Sequence, residues 1–204
     1  MEKITIKQMK EKIGQKVKIE GWVSTLRELG GVCFLLLRQR QGTVQIVLTK
    51  EQALGLTPES VVSIIGIVKE EQRAKLGCEI TAETVTIISH VKETLPIILT
   101  KGAEISFPTL LKFRPISLRI PTQQAIFKIQ AELIWAFREF MKGQEFTEIH
   151  STKLCSGGLE GGSAIFEVKY FEKKAYLAQS PQFYKQMMVG VFERVFEVGK
   201  VYRA

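Results

Sequence analysis

The run Leu177-Ala178-Gln179-Ser180-Pro181-Gln182-Phe183-Tyr184-Lys185-Gln186 gathers side chains that could hold a small anionic molecule. Pro181 suits the first position of a helix, where its missing N–H costs nothing. Gln179, Ser180, Gln182 and Lys185 then cluster at a helix N-terminus, where the peptide dipoles and an ammonium both favour an anion. A ligand bearing a carboxylate fits such a pocket; an ordinary exposed helix start is the plain alternative. Upstream, Ser156–Gly162 is rich in glycine and holds one carboxylate, Glu160. No GK[ST] follows and GxGxxG spacing is absent, which excludes a P-loop and a dinucleotide fingerprint. The segment reads as a lid that carries Glu160 onto a cationic group such as an ammonium, or as a flexible lead into a hairpin. Near the end, Arg194–Tyr202 alternates strictly and Arg203 shares a face with Gly199 and Val201. A strand arginine facing a crevice can clamp a phosphate or a carboxylate.

A second group lies near the N-terminus. Arg27, Phe34, Arg38, Arg40 and Gln45 offer cations for phosphates, a ring for base stacking and an amide for a base edge, the set with which small barrels hold single-stranded nucleic acid. In Val32–Leu37, parity puts Phe34 and Leu36 on one face and Cys33, Leu35 and Leu37 on the other, and either set could be the core.

These residues need elements to position them. Lys16–Leu26, Val32–Arg38, Thr43–Leu48, Ser60–Lys69 and Glu79–Ile88 alternate with period two and predict five short strands. With Thr5–Ile13 as a lead-in helix, Glu51–Pro58 as a short helix or turn and a bend at Gly21, they fit an OB-fold barrel better than a sandwich. Residues 96–120 carry three prolines, Pro96, Pro108 and Pro115, with no sustained period, and read as a hinge. Thr122 then caps a long helix with Ile126, Ile129, Leu133, Phe137, Phe140 and Met141 at three- and four-residue spacing, ending near Gly143. A strand Glu145–His150, a hairpin of Ile165–Tyr170 with Lys174–Ala178, a helix opened by Pro181 and a strand Arg194–Tyr202 complete an α+β pattern on an antiparallel sheet. The expected division is 1–95, 96–120 and 121–204.

Composition narrows the function classes. The 204 residues carry 29 Lys and Arg against 21 acidic residues, and the first fifty hold ten basic residues against four Glu. That concentration suits a polyanion, although a solvated basic face explains it almost as well. No apolar run is long enough to span a membrane, and the N-terminus lacks a signal-peptide core, so a cytoplasmic protein is expected. Cys33, Cys78 and Cys155 form no CxxC pair and only His90 and His150 could join them, which argues against a zinc cluster or a disulfide framework. Every acidic residue is Glu, and Asp and Asn are both absent. Ser, Thr, Gly and Gln are then expected at helix caps and left-handed positions.

Taken in order, the segments resemble the class IIb aminoacyl-tRNA synthetases, most closely the aspartyl-tRNA synthetases of the archaeal and eukaryotic kind. Gly21-Trp22-Val23, Arg27–Gly31 and Phe34–Arg38 are similar to the anticodon-binding barrel of that family. Gln123–Phe127 through Phe146–His150 resembles motif 1, the dimer-interface helix and strand. Glu160-Gly161-Gly162 followed by Phe166 resembles the flipping loop, Gln179–Gln186 the aspartate-pocket signature, and Phe192–Ala204 the first half of motif 2.

The resemblance implies an OB-fold barrel followed by part of a class II catalytic domain. It implies ATP-dependent activation of L-aspartate to the aspartyl-adenylate and transfer to tRNA(Asp). Glu160 would take the substrate ammonium, and Lys185 the side-chain carboxylate with Ser180 and Gln182, flanked by Phe183 and Tyr184. Arg203, the catalytic residue, would take the α-phosphate of ATP and the reacting carboxylate, with Ala204 beside it. Phe34 would stack on an anticodon base, Gln45 would read a base edge and Arg27 would hold the backbone. The implied cofactors are ATP and Mg2+, the metal's ligands lying outside these residues; the implied partners are tRNA(Asp), L-aspartate and a second copy through motif 1. The sequence departs from the family at Thr152 and Lys200, where prolines are usual, and Lys185–Phe192 is one residue short. It stops before the motif 2 glutamate and all of motif 3, so these 204 residues are expected not to catalyse adenylation alone. A non-catalytic tRNA-binding protein and a relaxed aspartate/asparagine enzyme remain the alternatives.

Overall fold

A computed structural model describes residues 3–99, 104–157 and 165–203. The chain divides into two compact units, Met1–Pro121 and Thr122–Ala204.

In the first unit, β1 (Lys16–Leu29), β2 (Val32–Gln39), β3 (Gly42–Leu48), β4 (Val61–Glu70) and β5 (Cys78–Ser89) close into a barrel in the order β1-β2-β3-β5-β4. The pairs are antiparallel except β3 with β5. Alternation drives this: one face of each strand is apolar, and closure puts those faces inside while leaving no edge. Ile19, Leu35, Leu37, Ile46, Ile64 and Ile80 are fully buried; each such side chain contributes about 1.5–3 kcal/mol of burial. Ile6 and Met9 of a 3-10 helix, Ile6–Lys12, pack into the same core. The barrel needs glycine where strands approach closely. A Cβ on Gly66 would lie 2.2 Å from the Thr81 carbonyl oxygen, and one on Gly21 2.5 Å from that of Arg38.

β1 runs three residues further than its alternation suggested, because the register shifts between Val23 and Thr25. This bulge reverses the phase: Val23 points inward before it, Leu26 packs on the core after it, and Arg27 moves to the outer face. After the barrel come two short helices, α2 (Phe107–Lys112) and α3 (Arg114–Ser117), with a four-residue α1 (Lys50–Ala53) between β3 and β4.

The second unit is built on α4 (Pro121–Gly143), which begins one residue before the expected cap. Its stripe of large apolar residues is exposed, Leu133 by 65%. Phe137 meets Phe196 edge to face at 5.7 Å, and Arg138 forks onto the Glu148 carboxylate. The sheet is not uniformly antiparallel. β6 (Thr147–Glu148) pairs with β10 (Val195–Phe196) in parallel, whereas β7 (Leu154–Cys155), β9 (Lys173–Leu177) and β8 (Glu167–Tyr170) form an antiparallel sheet in that order. α5 (Gln182–Phe192) follows β9 with Pro181 as its cap residue.

The helix caps follow the expectation from an Asp- and Asn-free sequence in part. Thr49 accepts a hydrogen bond from the Gln52 amide at 3.2 Å. The left-handed positions do not: besides glycines, they are filled by Glu59, Glu145, Phe171 and Glu193. Glu145 closes α4 with the Phe146 amide on Met141 and its own amide on Lys142, the double bond of a Schellman turn, where glycine is usual.

Candidate nucleic-acid face and amino-acid site

The structure resolves the parity of β2. Cys33, Leu35 and Leu37 are core, and Phe34, Leu36 and Arg38 face outward. Cross-strand pairs share a face, so the register sets Arg27 beside Phe34 on β1 and Gln45 beside Leu36 on β3. Arg27, Phe34 and Gln45 thus lie on one surface: an exposed cation, a half-buried ring and an amide. Without the bulge, Arg27 would point into the barrel. Gln45 is held in one orientation, its amide NH2 donating to the Glu79 carboxylate at 2.8 Å. That bond fixes which edge the amide presents, and Glu79 escaped sequence reasoning because its place beside β3 depends on the parallel β3–β5 pairing.

Arg38 does not serve as a cation open to phosphate, as its type suggested. Its guanidinium forks onto Glu59 at 2.6 and 2.7 Å, and the same carboxylate accepts from Arg119. The Glu59 side chain is 2% exposed and Arg38 16%. The guanidinium also lies over the Trp22 ring, 5.7 Å from its centroid.

In the second unit, the Gln179–Gln186 run lies at the junction of β9 and α5. Gln179 is buried and Ser180 half-buried. The Ser180 hydroxyl accepts from the Gln182 amide at 3.2 Å, and Lys185 sits one turn into the helix with its amide on the Pro181 carbonyl at 2.9 Å. Phe183 is exposed; the Tyr184 hydroxyl shares a hydrogen bond with Thr152 at 3.2 Å. The tail meets this run through the Tyr202 amide, which donates to the Ala178 carbonyl at 3.0 Å. Arg203 therefore follows the residue bonded directly before Gln179-Ser180. Glu160 and Ala204 lie outside the described residues.

The strand expected over Arg194–Tyr202 pairs only at Val195–Phe196. Beyond it, Glu197 turns its carboxylate inward onto Ser151, with Oε2 accepting from the hydroxyl at 2.7 Å and Oε1 bound to the Lys153 ammonium. Burial alone would raise the Glu197 carboxyl, but the hydrogen bonds from Lys153 and Ser151 prevail and hold it below the ordinary 4.5. Gly199 lies against this pair: a Cβ there would be 2.7 Å from Glu197 Oε1 and 3.0 Å from Lys153 Nζ. Burial pushes the Cys78 thiol up, and the cysteines are free. Among the described residues no three His, Cys or Glu side chains gather as a metal site, and no helix is long and apolar enough to cross a membrane.

Comparison with known proteins converges with this geometry. Residues 106–204 match the class II tRNA synthetases (D, K and N), and residues 17–88 match the OB-fold nucleic acid binding domain. The chain is 45% identical over 202 residues to the aspartate–tRNA(Asp/Asn) ligase of Thermus thermophilus, covering 98% of this chain and 47% of that protein. It is 40% identical over 200 residues to the aspartate–tRNA(Asp) ligase of Pyrococcus horikoshii, covering 94% and 46%. Among solved structures, the asparaginyl-tRNA synthetase of Pyrococcus horikoshii with asparaginyl-adenylate superposes with a TM-score of 0.90 at 35% identity, over 100% of this chain and 49% of that one. The chain thus spans just under half the length of these relatives. A nucleic-acid barrel followed by a helix-and-sheet unit, each matched in its own right and in this order, gives the chain an OB-fold anticodon-binding domain at residues 17–88 and part of a class II aminoacyl-tRNA synthetase catalytic domain, of the D, K and N group, at residues 106–204.

Proposed function

We propose that the chain is the anticodon-binding and amino-acid-recognising part of a cytoplasmic aspartate–tRNA ligase, which activates L-aspartate with ATP and transfers it to tRNA(Asp). The observation that carries this reading is the Tyr202–Ala178 hydrogen bond, which ties the tail bearing Arg203 to the start of the Gln179–Lys185 run. On this reading the Lys185 ammonium pairs with the aspartate side-chain carboxylate, assisted by Ser180 and Gln182, and Phe183 and Tyr184 flank the pocket. Glu160 receives the substrate ammonium. Arg203, with Ala204 beside it, neutralises charge on the α-phosphate as the aspartate carboxylate attacks and pyrophosphate leaves, a task of positioning and electrostatics. ATP supplies the adenylyl group. The ligands of Mg2+ are expected outside these residues, and no step here is assigned to the metal. In the barrel, Phe34 stacks on an anticodon base, Gln45 reads a base edge and Arg27 holds the backbone. The exposed apolar stripe of α4 supports a homodimer through this helix.

The names of the relatives favour a second reading of specificity. One acts on tRNA(Asp/Asn), another on tRNA(Asp), and the superposed structure is an asparagine enzyme. For the amino acid, the half-buried Lys185 favours a carboxylate over an amide, since its ammonium pairs with the charge of aspartate and meets only a neutral group in asparagine. Calorimetry with the sulfamoyl-adenosine esters of aspartate and asparagine tests this. Preference for the aspartyl compound, abolished by Lys185→Leu, is expected. Equal binding of both compounds, or a preference that survives the substitution, refutes the assignment.

A further inference from the structure

Trp22 is the largest side chain on the outer face of β1, and 41% of it is exposed. It pairs in register with Arg38, on the same face of β2 as Phe34 and Leu36. Arg38 lies four residues from Phe34, about 13 Å along an extended strand. An OB-type barrel accommodates roughly 4–16 nucleotides. Two rings at that separation on one sheet face therefore serve two different bases of one strand.

An exposed tryptophan on a soluble barrel calls for a reason, and here the surroundings supply one. The Arg38 guanidinium over the indole does not wander, because both of its terminal nitrogens are fixed on the buried Glu59 carboxylate. Glu59 holds a left-handed backbone, φ 68°, to deliver that carboxylate, a conformation that costs a non-glycine residue about 1–3 kcal/mol. The result is a pre-ordered aromatic and cationic platform. Stacking on the open side of the indole takes little further ordering, because Arg38 and Glu59 hold each other beside it.

We propose that Trp22, braced by Arg38 and Glu59, is a second base-stacking site for single-stranded RNA, taking a nucleotide of the same strand whose other base stacks on Phe34. This rests on the reading of the barrel as an anticodon-loop binder. Trp22 touches the RNA, whereas Glu59 acts only through Arg38 as a positioning residue.

The chain has two tryptophans, Trp22 and Trp135, so Trp135→Phe leaves Trp22 as sole reporter. Titration of this variant with an RNA hairpin bearing the seven-nucleotide anticodon loop of tRNA(Asp) is expected to quench Trp22 emission. In the wild-type background, Trp22→Ala is expected to weaken hairpin binding about 5- to 160-fold, the range of one lost base stack, and Trp22→Phe to restore most of it. Glu59→Gln is expected to reduce the quenching at saturating RNA while leaving a folded barrel by circular dichroism. If Phe34→Ala weakens binding while Trp22→Ala does not, or emission stays constant on saturation, the second stacking site is refuted and the barrel reading stands. If neither Phe34→Ala nor Trp22→Ala changes affinity, both fall.

Discussion

Replacing Glu59 by Gln should destabilise the first unit far more than a surface charge change. The carboxylate accepts two guanidinium N–H groups of Arg38 and one of Arg119, and its side chain is 2% exposed. An amide keeps one acceptor oxygen and turns its NH2 toward N–H donors, so at least one contact becomes donor against donor. Breaking a buried ion pair by removing one partner costs about 3–5 kcal/mol. The Arg119 side chain is 37% exposed, so its share is screened by water, which puts the expected loss near the lower end, about 3 kcal/mol. Urea unfolding followed by Trp22 emission in the Trp135→Phe background reads this unit alone. With a denaturant slope of about 1–3 kcal/mol per molar, the midpoint should fall by roughly 1–3 M. A shift below about 0.3 M at unchanged slope would show that Arg38 and Arg119 find water as readily as they find Glu59, and the argument for a pre-ordered platform would fail with it.

Glu145→Gly should stabilise the second unit. Glu145 is exposed and holds φ 60° at the end of α4; relief of the left-handed strain, about 1–2 kcal/mol, exceeds the extra chain entropy of glycine, about 0.5–1 kcal/mol. Thermal unfolding should rise by a few degrees, and a fall would mean that the Schellman turn is not what ends the helix. Glu197 gives a pH dependence. Its folded carboxyl sits below 4.5, so its contribution is fully present above that value and is lost as the pH falls through the folded value. Trp135-monitored stability should drop below about pH 4.5, and Glu197→Gln should flatten that acid limb; an identical limb in the variant contradicts the assignment.

The five barrel strands were legible because alternation and closure say the same thing: Leu35, Leu37, Ile46 and Ile64 recur at period two and are all buried. The bulge before Thr25 was not, since Ser24 carries no signal, yet it decides that Arg27 joins Phe34. Glu59 was invisible for another reason. Its partners are 21 and 60 residues away, and a glutamate at a left-handed position reads locally as a solvated turn. In the second unit, alternation over Arg194–Tyr202 implied a ladder that ends at Phe196; the period instead turns Glu197 inward onto Ser151 and Lys153. The Gln179–Lys185 run was legible as a polar entry into a helix behind Pro181. Its approach to the tail was not, because that depends on the Tyr202–Ala178 hydrogen bond.

The most direct measurement is the affinity of the chain for a tRNA(Asp) transcript beside the same transcript with its three anticodon bases exchanged, at several salt concentrations. Weaker binding of the exchanged transcript, with the difference erased by Phe34→Ala, is the expected result. Equal affinity for both transcripts at every salt concentration would mean that the outer face of β1, β2 and β3 reads no bases, and the central claim would be wrong.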